Sequence, residues 1–237
     1  MNKKSSIERA LDEGQMLFSR QKTIGNKNRL LSLKACGSLV DARQLCVGII
    51  ANATARNSGK PGKNDADLAH QLSLSASFIQ GISLCETAIS EGLYVSASAL
   101  LKQEMETIAA IREVTGSVRK QFATPNVKSF GKLAVLYGDL NRLAHVSDRN
   151  WMQSFVKMDF KSDQSGAPLF PIFDQHLSKL FYGLHVCFLA CVTAEIHKIL
   201  DHLYGEGLLD FEIKMLGQAA TILEKYGWLL QPDQETK

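Results

Sequence analysis

The sequence predicts an all-α fold: one helical bundle of six or seven helices, with a small β-hairpin inserted near 151–173. Three observations carry that expectation. Long segments between Gly and Pro punctuation hold apolar residues at the 3.6 spacing of a helix. The starts of those segments carry capping residues, among them Ser5, Asn64 or Asp65, and Thr124. Only the stretch 151–173 changes to an alternating period, as a half-buried strand does. The chain is expected to form a single domain over 1–237, with N-terminal helices at 1–56, central helices at 65–146, the hairpin, and C-terminal helices at 174–228.

Ser5 with Glu8 three residues later is a capping box and opens a first helix to about residue 20. A second helix is expected over about 28–56, rich in Leu, Val and Ile. The loop 57–64, Asn-Ser-Gly-Lys-Pro-Gly-Lys-Asn, precedes a third helix to about residue 90. That helix is dense in small residues (Ser73, Ser75, Ala76, Ser77, Gly81 and Ser83), which predicts close approach of a neighbour in a packed bundle. Glu91-Gly92 turns the chain into a fourth helix over 93–114, where Tyr94, Ala97, Ser98, Leu101, Met105 and Ile108 share one face. The short turn predicts an antiparallel αα-hairpin. Thr124-Pro125 is expected to start a fifth helix, with Pro at the first helical position. The run 156–160 alternates as a strand, 163–166 is a turn, and 168–173 reads as an edge strand held there by Pro168 and Pro171. Helices over about 174–204 and 208–228 complete the chain.

Composition narrows the function classes. A net charge of +3 with no dense Lys/Arg cluster lacks the footprint of a nucleic-acid surface. Five cysteines, with no Cys-x-x-Cys, fit a reducing cytoplasm. Residues 1–20 are polar, unlike a secretory signal. The most apolar run, 180–194, is shorter than the about 20 residues a span needs and contains His185, so it predicts a buried core helix and no membrane anchor.

Chemistry-bearing residues concentrate at the end of the fifth helix. Asn141, Arg142 and His145 lie one turn apart at the flank of the stripe Phe130, Leu133, Tyr137, Leu140 and Ala144. Histidine is the side chain suited to acid–base work near neutral pH. An acidic partner for it is expected from the fourth helix, Glu104 or Glu106, since a short linker makes those helices antiparallel neighbours. Lys102 and Glu106 are an i,i+4 pair. Glu104 falls at the edge of the apolar stripe, and a buried charge needs a partner, so it is expected to face a cleft or to bond an Arg or His elsewhere.

The segment 140–145, Leu-Asn-Arg-Leu-Ala-His, resembles the signature of HEPN domains, all-helical nucleotide-binding or RNA-cleaving modules of toxins and phage defence. Asn141, Ala144 and His145 match that signature; its Arg would fall at position 140, which is Leu140. A second likeness covers about 75–175. Residues 99–106 together with 137–145 are similar to a family of uncharacterised bacterial helical proteins that pair a Leu-Leu-Arg-x-x-x-Glu helix with a Tyr-x-x-Leu-x-x-x-x-His helix. Lys102 replaces that Arg, while Glu106 and His145 match.

No His-Glu-x-x-His, Glu-x-x-His, P-loop, Gly-x-Gly-x-x-Gly or Gly-x-Ser-x-Gly occurs, so no metal and no cofactor is expected. The functional expectation is a non-enzymatic interaction or regulatory module of the cytoplasm, its partner another protein or a second copy of itself. The alternative is a HEPN-like ribonuclease or nucleotide-binding protein using His145, Asn141, Arg142, Glu104 and Glu106, with RNA or a nucleotide as partner.

Overall fold

In the computed structural model, which describes residues 5–62, 65–116, 118–120, 122–147, 149–155 and 169–228, the described chain is helical and contains no strand. Helix α1 spans Ser6–Cys36. Its capping box is formed as expected, with Glu8 N–H donating to Ser5 Oγ (3.2 Å) and Ser5 N–H to Glu8 Oε2 (2.7 Å). The expected gap between residues 20 and 28 is absent: the helix runs straight through Gly25. That glycine serves packing, since a Cβ there would lie 2.7 Å from Glu91 Oε2. The break comes instead at Gly37, whose φ of 54° ends the helix before α2, Leu39–Asn57.

Helix α3, Ala66–Ser90, is capped by Asp65, which accepts from Asp67 N–H (2.9 Å) and Leu68 N–H (3.3 Å). Helix α4, Tyr94–Thr115, returns against it as the expected hairpin. Asn28 of α1 seals the turn by donating to the carbonyls of Glu91 and Pro171, each at 3.0 Å.

The fifth helix differs from expectation. Thr124-Pro125 starts no helix; Asn126 takes the capping place by accepting from Lys128 N–H (3.1 Å) and is itself held to α4 through Glu113 Oε1 (2.6 Å). A 3₁₀ segment, Val127–Leu133, kinks at Gly131 and feeds α5, Ala134–Ala144. Residues 149–155, partly inside the expected hairpin, form the short helix α6, Arg149–Phe155, and 169–173 carry no strand. The strand expected at 156–160 and the turn at 163–166 lie outside the described residues. Helix α7, Gln175–Tyr204, is capped by Asp174, and α8, Asp210–Lys225, ends the described fold.

Helix α7 is the axis of the bundle and touches α1, α2, α3, α4 and α8. Every residue from 181 to 189 is buried, including Tyr182, Phe188 and Leu189. A helix apolar all round must be surrounded. By length and composition α3 and α7 are also apolar enough to cross a membrane. One ion pair ties an outer helix to this axis, Arg112 of α4 to Glu195 of α7 at 2.9 Å, and another joins two outer helices, Arg56 of α2 to the buried Glu212 of α8 at 2.9 Å.

Of the small residues of α3, Ser75 is buried as expected, whereas Ser73, Ala76, Ser77 and Ser83 are exposed; the face that packs is Leu68, Gln71, Ser75, Phe78, Ile82, Cys85 and Ile89. Ser77 and Gly81 instead line a cavity of about 220 Å³ between α3 and α4. Short side chains here leave space rather than close it.

Candidate functional site

Glu104 is only 6% exposed, and its carboxylate meets His185, which is fully buried on α7. His185 Nδ1 lies 3.0 Å from Oε2, to which it is hydrogen-bonded, and 2.9 Å from Oε1. Oε1 has no hydrogen bond of its own, and neither has the other ring nitrogen, Nε2. Cys85 of α3 completes the group: ligand-type atoms of Cys85, Glu104 and His185 lie within 4.8 Å of one another, and all three residues are buried. Three helices thus send one thiol, one carboxyl and one imidazole to a common point. Cys85 and Glu104, with Phe78, are also the buried lining of the α3–α4 cavity, whose outer lining includes the exposed Ser77 and Leu84.

A polar chain leads away from this point. The Tyr182 ring packs edge-on against His185, centroids 6.4 Å apart. Its hydroxyl donates to Glu86 Oε1 at 3.0 Å, and Glu86 pairs with Arg43 of α2 at 2.5 Å. Burial, then the negative charge of Glu86 and the bond to it, push the Tyr182 hydroxyl well up. The Cys85 thiol is likewise raised, first by burial and next by the charge of Glu104 and the bond to it. A thiol held in that form is a poor nucleophile, because reactivity belongs to the thiolate. Cys85 therefore does not have the setting of a catalytic thiol.

The residues singled out from sequence are distributed differently. Glu104 finds a histidine, as a buried charge requires, but it is His185 and not His145. Glu106 accepts from Tyr137 of α5 at 2.6 Å and lies 3.5 Å from Lys102. Arg112–Phe130 and Glu106–Tyr137 contacts show that α4 and α5 run antiparallel as expected. His145 lies eight residues beyond Tyr137, about 12 Å further along α5. It is the exposed C-cap of that helix; its N–H donates to Asn141 O at 3.1 Å, and its ring has no hydrogen bond among the described residues. Arg142 is exposed and pairs with Asp139 on the same helix. Asn141, Arg142 and His145 stay together; Glu104 and Glu106 do not join them.

Sequence reasoning missed Cys85 and the use of His185. One signal was present, a histidine inside the most apolar run of the chain, because a buried polar ring needs a partner. Its pairing with Glu104 crosses 81 residues and follows only from packing.

A second feature belongs to α1. The face of α1 that packs inward through Gly25, Asn28, Ser32 and Cys36 continues toward the N-terminus as Ile7, Leu11 and Phe18. Those three are 74%, 64% and 72% exposed. At the foot of this arm, Phe18, Leu93, Tyr94, Leu169 and Phe170 line a groove of about 500 Å³.

No protein-family model, curated protein or solved structure matches the chain.

Proposed function

We propose that this chain is a non-enzymatic interaction module of the cytoplasm that assembles with a second copy of itself through the first four turns of α1. The supporting observation is the continuity of one helix face, buried from residue 25 onward and bare at Ile7, Leu11 and Phe18. Water-exposed apolar stripes of this kind are uncommon on monomers. Charge favours an antiparallel copy as occupant. Within residues 5–14 of the arm Glu8, Asp12 and Glu13 outnumber the one base Arg9, while Arg20 and Lys22 are the charged residues of 15–22; Lys3 and Lys4 precede the arm. Crossing two arms near residue 15 sets Leu11 against Phe18, Glu8 against Lys22 and Ile7 beside the groove at the arm's foot. Such a contact is isologous and closes on itself as a dimer.

Analytical ultracentrifugation tests this reading. The wild-type chain is expected to sediment as a dimer that weakens with added salt. Leu11→Asp with Phe18→Asp is expected to give a folded monomer with an unchanged unfolding midpoint of its core. A wild-type monomer at high concentration would overturn the reading. The HEPN-like alternative draws support only from the clustering of Asn141, Arg142 and His145; RNA cleavage lost on His145→Ala would favour it.

A further inference from the structure

We propose that Cys85, Glu104 and His185 form a mononuclear site for a divalent transition-metal ion of the zinc type, with one coordination position open to the α3–α4 cavity. This stands apart from the dimer reading and uses no residue of the α1 arm.

The donor set selects the ion. Sulfur, imidazole nitrogen and carboxylate oxygen together suit zinc and its neighbours, whereas calcium and magnesium take oxygen alone. The separations suit one ion as well. Tetrahedral ligands at zinc distances sit about 3.3–3.8 Å apart, and the three ligand atoms here lie within 4.8 Å of one another. The 2.9 Å approach of Nδ1 to the carboxylate need open by only about half an ångström.

Charge and protons also balance. A divalent ion offsets one thiolate and one carboxylate, leaving a neutral centre in a buried place. The Cys85 thiol proton passes to solvent through the cavity. For Nδ1 to coordinate, the neutral imidazole carries its proton on Nε2, the ring nitrogen that has no hydrogen bond. Glu104 Oε1, also without one, becomes a ligand. One orphaned polar atom in the core, Glu104 Oε1, costly while unsatisfied, is thereby given a partner by the ion; the Nε2–H of His185 still has no protein partner among the described residues.

The fourth position faces Gln80, Gln103 and Thr107, which line the same cavity as Cys85 and Glu104. The small residues Ser77 and Gly81 keep that cavity open. Three protein ligands with an accessible fourth place distinguish an exchangeable or reactive ion from a closed structural one.

The test uses the full chain, reduced and stripped of metal with a chelator, then titrated with Co²⁺. One ion per chain is expected, with a thiolate-to-cobalt charge-transfer band in the near ultraviolet and tetrahedral d–d bands in the visible, both displaced by Zn²⁺. Cys85→Ser should abolish the charge-transfer band. Glu104→Gln and His185→Ala should weaken binding at least about 10-fold, the lower end of what even outer-shell changes cost. Cys187→Ser, a buried α7 cysteine outside the cluster, should alter neither band nor affinity. Far-ultraviolet circular dichroism monitors folding of each variant. As a check independent of variant folding, Zn²⁺ should raise the melting temperature of the wild-type chain. No cobalt binding by the natively folded chain, or a charge-transfer band that survives Cys85→Ser, would overturn the assignment.

Discussion

His185 Nδ1 and Glu104 Oε2 meet at 3.0 Å in the core, joining α7 to α4 where neither side chain has another polar partner on its free atom. Truncating Glu104 to Ala strands a buried imidazole and opens a void. The expected loss is about 3–5 kcal/mol, the range for breaking a buried pair from one side. Replacing both residues together by Leu should cost less than the sum of the single changes, with a coupling of about 0.5–3 kcal/mol. Urea unfolding midpoints of the two single variants and the double variant measure this; strict additivity would show that the pair does not act as a unit.

Glu212 gives the fold an acid limit. Burial alone would raise its carboxyl, but hydrogen bonds from Leu209 N–H (2.7 Å), Asn52 (2.7 Å) and Arg56 (2.9 Å) outweigh that and hold it below the ordinary value. A carboxyl lowered on folding contributes stability above its unfolded pKa, about 4.3, and loses it as pH falls through the lower folded value. The α2–α8 contact should therefore weaken on acidification below about pH 4.3. Glu212→Gln should be less stable at neutral pH and show a flatter acid limb in a melting-temperature profile.

Gly183 lets the Trp228 indole approach the backbone of the axis helix closely. A Cβ at that position would stand 2.1 Å from Trp228 Nε1. Gly183→Ala gains about 1 kcal/mol in helix propensity but must expel the indole. Overpacking of about 1–3 kcal/mol outweighs the gain. The expected result is a lower unfolding midpoint and a red-shifted tryptophan emission; Trp228→Ala combined with it should remove most of the penalty.

His145→Ala should leave the unfolding midpoint within about 0.5 kcal/mol of wild type, because the ring is exposed and makes no hydrogen bond among the described residues. A large loss of stability would mean that His145 is bound into the fold.

Local signals were legible in the sequence. Ser5 with Glu8 capped α1, Asp65 capped α3, Glu91-Gly92 made the α3–α4 turn, and the apolar run around His185 marked the buried axis helix. Each of these depends on residues within a few positions, so periodicity and capping chemistry determine it. Where a remote partner intervened, the local signal failed. Helix α1 runs on through Gly25, where the missing Cβ makes room for Glu91; Thr124-Pro125 starts no helix, and Asn126 beyond it is anchored to Glu113. Ser77 read as packing surface, yet it is exposed and lines open space, while Ser75 two residues earlier is buried. Glu104 declared its need for a partner through its place on an apolar stripe, but nothing local identified which residue would meet it. That Cys85, Glu104 and His185 converge, while His145 stands apart, was decided only when α3, α4 and α7 packed. The energy of burying a charge depends on what lies across the helix interface, not on neighbours along the chain.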